Sequence, residues 1–169
     1  RAQMPLQHLE TGAVLEADQL VRRDLALDRY GRPGITGAAL ALAAREPRIS
    51  TTAGLHPHDA RTWTDETEAW LSSTLQDPRV VACGEIGLDY HYDHSPRDVQ
   101  RRVFERQMAL AGAAGKPVII HAREADADVA AVLRAFPGVT AILHSFSSGA
   151  ILFDAGVELG HYVSFSGMV

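Results

Sequence analysis

Short apolar runs rich in β-branched residues recur along this chain, and each is followed by a longer stretch whose apolar positions return every three or four residues. The runs ISTTAGL (49–55), VVAC (80–83), PVIIH (117–121), TAILH (140–144) and YVSFS (162–166) read as strands. Those that are apolar throughout suit strands covered on both faces.

The stretches between them read as helices. Residues 37–46 are rich in alanine and leucine and stop at Pro47. Thr64 is placed to cap the next helix, with Asp65 and Glu66 in its first turn and Trp70, Leu71 and Leu75 on its inner face. Ser95, Pro96 and Asp98 predict a cap, a first-turn proline and a first-turn acid, and Val99, Val103, Phe104, Met108 and Ala111 then recur at helical spacing until Gly115. Helices are also expected over 126–136 and 150–159. Residues 14–30 fit an amphipathic helix, and His8, close to the start, reads as a solvated side chain.

Strand and helix thus alternate with a period of roughly 25 to 35 residues, the pattern of right-handed crossovers and a parallel α/β sheet. Five strands are clear and a sixth is suggested near Ile35. A closed eight-stranded barrel takes about 250 residues, so 169 residues predict either a smaller open sheet or part of a barrel. A single domain over 1–169 is expected.

Four of the five strands end in a group able to hold a metal or a phosphate: His56, Glu85, His121 and His144. They are spaced by about one strand-helix unit, which brings them to a common rim, where parallel α/β folds build their sites. Glu85 follows Gly84 directly, so the 80–83 strand is expected to deliver a carboxylate at its end. Imidazole with carboxylate suits zinc, manganese, or magnesium with more oxygen ligands. Arg123 can present a planar fork to a phosphate or pair with Glu124 or Asp126. Asp89 is placed to orient a ligand or a water. Tyr90, His91, Tyr92 and His94 form an aromatic, histidine-rich loop over the rim; such groups can stack on a base, but the reading preferred from sequence is exposed loop residues.

Composition narrows the reading. Hydrophobic residues make up 46% of the chain and the net charge is −5, which disfavours holding nucleic acid by surface charge alone. No apolar run is long enough for a membrane span and no signal peptide is evident. The lone Cys83 reads as a small buried residue, and a reducing cytoplasm is the expected location.

The stretches TAGLHPHDA, GEIGLDYHYD, QRRVFERQMALAGAAGKPVIIHAR and LHSFSSG resemble the TatD family of metal-dependent deoxyribonucleases, in order and from about Thr36 to Val169, leaving 1–35 as a divergent part. The resemblance implies a metal-dependent TIM barrel of the amidohydrolase type, here a partial one. It implies DNA, single-stranded or at its ends, as substrate, cleaved at phosphodiester bonds, often exonucleolytically, by metal-activated water, with magnesium or another divalent ion as cofactor. It makes Glu85, His121 and His144 metal ligands, with Glu85 also catalytic, and sets His56 and Arg123 toward substrate phosphate. Two features of the family are not matched: no His-x-His pair precedes His56, and no Thr-Asp-x-Pro strand occurs up to Val169. The alternatives are hydrolysis of an amide, ester or lactone at the same site, or a truncated, weakly active metal-binding fragment.

Overall fold

The computed structural model describes residues 34–167. The expected helix at 14–30 and His8 lie outside them. Five strands form one parallel sheet in the order β1 to β5: β1 Thr51–Ala53, β2 Val80–Asp89, β3 Val118–Arg123, β4 Ala141–Leu143 and β5 Tyr162–Val163. Strands added one beside the next in chain order are the arrangement of a (β/α) barrel; a doubly wound sheet would reverse its order. The helices are α1 Gly34–Arg45, α2 Asp65–Thr74, α3 Arg97–Ala114, α4 Asp126–Ala135 and α5 Ala150–Glu158, with a 3-10 helix at Pro57–Thr62. Among the described residues no helix is long and apolar enough to cross a membrane.

The core lies between the sheet and α3. Phe104, Met108 and Ala111, the helical stripe, pack with Ile86 and Leu88 of β2, Val118 and Ile120 of β3, Leu71 of α2 and Leu75 at its C-cap. Gly115 ends α3 in the left-handed region (φ 64°), as its place after the stripe predicts. Thr64 caps α2, accepting from the Thr67 amide at 3.2 Å. Cys83 is fully buried among these residues, which pushes its thiol up to about 12.

Three expectations are corrected. Ile35 lies within helix α1, so the suggested sixth strand is absent among the described residues; the alanine-rich segment that follows carries the helix back over it. Ser95 does not cap α3. Pro96 occupies the cap position without a side-chain bond, while the Ser95 hydroxyl donates to the His58 carbonyl at 2.8 Å and accepts from the Arg61 amide at 3.1 Å. Its oxygen serves the 3-10 turn instead of the helix. Finally, β2 does not end at Gly84. It runs for ten residues to Asp89, so Glu85 sits within the strand.

Candidate metal centre

The length of β2 creates the site. Side chains alternate along a strand, so Glu85, Gly87 and Asp89 share one face while Ile86 and Leu88 point into the core. Gly87 pairs with His121 of β3, and at φ 138° it adopts a conformation closed to other residues. A Cβ there would stand 2.0 Å from the His121 carbonyl oxygen. The bare glycine lets the two strands close, and the His121 ring comes to lie between the two carboxylates. Its Nδ1 is 3.4 Å from Glu85 Oε1 and its Nε2 is 2.9 Å from Asp89 Oδ2.

His58 joins the same oxygen, with Nε2 2.9 Å from Asp89 Oδ2. His56 caps the 3-10 helix, its Nδ1 accepting from the His58 amide at 3.3 Å. The His56 ring centre is 4.6 Å from that of His121 and 4.4 Å from that of His58. Ring nitrogens of His56, His58 and His121 all lie within 4.8 Å of one another, a spacing that fits one metal ion.

Two buried glutamines of α3 hold this floor in place. Gln107 accepts from the Leu55 amide at 2.7 Å and donates to the Leu55 carbonyl at 3.0 Å, fixing the backbone that leads into His56. Gln100 does the same for Asp89, at 2.8 and 3.0 Å, and also donates to the Ser95 carbonyl. Seven residues apart, they stand two turns along one helix face. Asp89 Oδ1 in turn accepts from the His91 and Tyr92 amides at 3.1 and 2.9 Å.

The electrostatics follow from this packing. Burial is the main cause that pushes His56 down to about 3, so it is neutral. Burial works against the charged forms of Glu85 and His121 as well, yet their mutual attraction outweighs it: the carboxyl is lowered and the imidazole raised. Asp89 also resists its burial, because the Tyr92 amide, His58 and His121 draw it down to about 2. A carboxylate that accepts several N–H bonds behaves in this way.

Of the residues expected at the rim, Glu85, His56 and His121 therefore meet. His144 follows β4, its Nε2 3.1 Å from the Ser145 hydroxyl, and its charge helps to lower Glu85. Arg123 is exposed, with its guanidinium carbon 5.0 Å from the Tyr92 ring centre instead of paired to Glu124 or Asp126. Tyr92 stacks on His94, and Tyr90 donates to Asp128 at 2.7 Å. His58 is the residue that periodicity missed, because a 3-10 turn leaves no repeat. The signal available was two histidines flanking a proline at a strand end.

A buried acid-imidazole cluster at the strand-end rim of a barrel-type parallel sheet is a candidate metal centre, in the place where that fold builds its sites. The chain belongs to the TatD related DNase family, which matches residues 24–169, an earlier start than the motifs alone suggest. It is 39% identical over 142 residues to the uncharacterized metal-dependent hydrolase YabD of Bacillus subtilis, covering 83% of this chain and 55% of that one. It is 43% identical over 136 residues to a 3'-5' ssDNA/RNA exonuclease TatD of Edwardsiella piscicida, covering 78% and 52%. Among solved structures, the TatD homolog YjjV of Escherichia coli superposes with a TM-score of 0.69 at 29% identity, over 75% of this chain and 50% of that chain. The chain spans about half the length of the curated relatives it matches.

Proposed function

We propose that this chain belongs to a metal-dependent hydrolase that cleaves DNA phosphodiester bonds, with Glu85, His121 and His144 as metal ligands and Glu85 also catalytic. His56 and Arg123 face the substrate phosphate. The observation that carries this reading is the His121 ring held between Glu85 and Asp89, with Nδ1 turned toward Glu85. Family membership and the exonuclease names of the relatives point to nucleic acid, with single strands or ends as the expected form of DNA. The donor set fits a divalent ion: two imidazoles and a carboxylate suit manganese or zinc, and magnesium where further oxygen ligands are supplied. Bound there, such an ion polarises a phosphoryl oxygen and makes water a stronger acid.

The protein's own groups divide the remaining work. His56 accepts the His58 amide at Nδ1, and it is neutral, so its proton sits on Nε2. An N–H in that position donates to an anionic oxygen and does not ligate a metal. For this reason we favour Glu85, His121 and His144 over the alternative of three imidazoles, His56, His58 and His121, which their close spacing favours. Arg123, at the exposed edge, supplies positive charge to a chain of net charge −5.

The test is degradation of single-stranded DNA with added Mn2+ or Mg2+. Glu85→Ala and His121→Ala are each expected to abolish it. Undiminished nuclease activity in either variant rejects the assignment.

A further inference from the structure

We infer that Asp89 is a positioning residue whose Oδ2, shared by His58 and His121, holds the proton of His121 on Nε2 and so leaves the Nδ1 lone pair turned toward Glu85. The inference rests on the metal reading above and adds the group that prepares its central ligand.

The geometry assigns each oxygen of Asp89 a separate task. Oδ1 accepts from the His91 and Tyr92 amides, at 3.1 and 2.9 Å, and Oδ2 stands 2.9 Å from Nε2 of both His58 and His121. A carboxylate only accepts, so the nitrogen that faces it donates; His121 has Asp89 2.9 Å from Nε2 and Glu85 3.4 Å from Nδ1, and in the neutral ring the shorter contact takes the proton. A neutral imidazole carries one proton, and His121 Nδ1 is then the bare nitrogen. The carboxylate is fully buried, and Gln100 clamps its backbone on both sides, at the amide and at the carbonyl. Both of its oxygens are engaged. Oδ2 ties together the 3-10 turn after β1 and strand β3, so the rings of the two motifs share one acceptor.

Asparagine at position 89 separates this role from simple support. Two backbone amides need an acceptor, so the amide oxygen of Asp89→Asn faces His91 and Tyr92, and its NH2 faces the imidazoles. A donor opposite His121 Nε2 requires that nitrogen to be bare, and the proton moves to Nδ1, where it blocks the lone pair. Loss of a carboxylate behind a ligating histidine typically lowers metal affinity about 10- to 100-fold.

The experiment uses the whole 169-residue chain, labelled with 15N and free of metal, at a pH where the imidazoles are neutral. Long-range proton-nitrogen spectra identify the tautomer of His121, assigned by His121→Gln. The wild-type chain is expected to show Nε2–H and Asp89→Asn to show Nδ1–H, with Mn2+ binding weakened about 10- to 100-fold. An Nδ1–H tautomer in the wild-type chain overturns the inference, as does an unchanged Nε2–H tautomer in Asp89→Asn. If Asp89→Asn does not fold, the wild-type spectrum decides alone. Tautomer exchange in a chain that binds no Mn2+ sustains the role of Asp89 and overturns the metal assignment instead.

Discussion

Strands β2 and β3 lie inside the sheet, paired on both edges and covered by α3, whereas the β5 end presents a two-residue strand and a cluster of exposed apolar side chains. Ile86, Leu88 and Phe104 are wholly buried at the first; Ile151, Val157, Tyr162 and Phe165 are each more than half exposed at the second. The candidate metal centre sits with the buried region. Glu85, His121 and Asp89 stand on its two central strands, and buried glutamines fasten the backbone on either side. His144, from β4, lies between the two regions. Ligand geometry demands tolerances of a fraction of an ångström, and only backbone with packing on every side supplies them.

Substitutions should therefore have opposite weights in the two regions. The largest effect is expected for Gly87→Ala, which drives a Cβ into the His121 carbonyl and forces a left-handed conformation on alanine. A loss of more than about 4 kcal/mol, or failure to fold, is expected in chemical denaturation, since clash and strain act together. Wild-type stability in this variant would mean that β2 and β3 are not as close as described. Phe104→Ala comes next, with about 3 to 5 kcal/mol lost from the transfer and cavity terms.

A smaller effect is expected in mild acid. His56 is neutral in the fold and lowered to about 3, so below its unfolded value of about 6.5 the unfolded chain takes up a proton that the folded chain refuses. Stability should fall by up to about 1.4 kcal/mol per pH unit in that interval. His121 has the opposite sign. Its value is raised, so its contribution is complete below about 6.5 and is lost only as pH rises through the folded value. Glu85 and Asp89 are lowered, and their contributions begin to fade only near pH 4 and below. Between about pH 6.5 and 4.5 the slope therefore belongs mainly to His56, with His161, lowered by its burial, adding to it. Melting curves of His56→Gln across this range should be flatter than those of the wild type; parallel curves would refute the account of His56.

The smallest effect is expected at the other end of the sheet. Val157→Ser, on the exposed face of α5, should change unfolding free energy by less than about 0.5 kcal/mol. A loss comparable with that of Phe104→Ala would show that the two regions are equally well packed.

The sequence carried the element order because the crossover pattern repeats, and the stripe through Phe104 and Met108 located the core because helical spacing is periodic. It gave the strand ends less well. Glu85 reads as lying past a strand, because nothing local says that Gly87 lets the chain continue as strand to Asp89. Ser95 reads as a cap because the cap pattern is local, but its hydroxyl is taken by a turn 34 residues away. Gln100 and Gln107 are polar residues on an otherwise apolar face, a sign of backbone clamps that the hydrophobic stripe conceals.

The central claim is that one divalent ion is held by Glu85, His121 and His144. A crystal structure of the chain with Mn2+, with the metal located by anomalous scattering, tests it most directly. The account predicts a peak within about 2.3 Å of a Glu85 oxygen, His121 Nδ1 and a ring nitrogen of His144. A peak centred among His56, His58 and His121, away from Glu85 and His144, would contradict it.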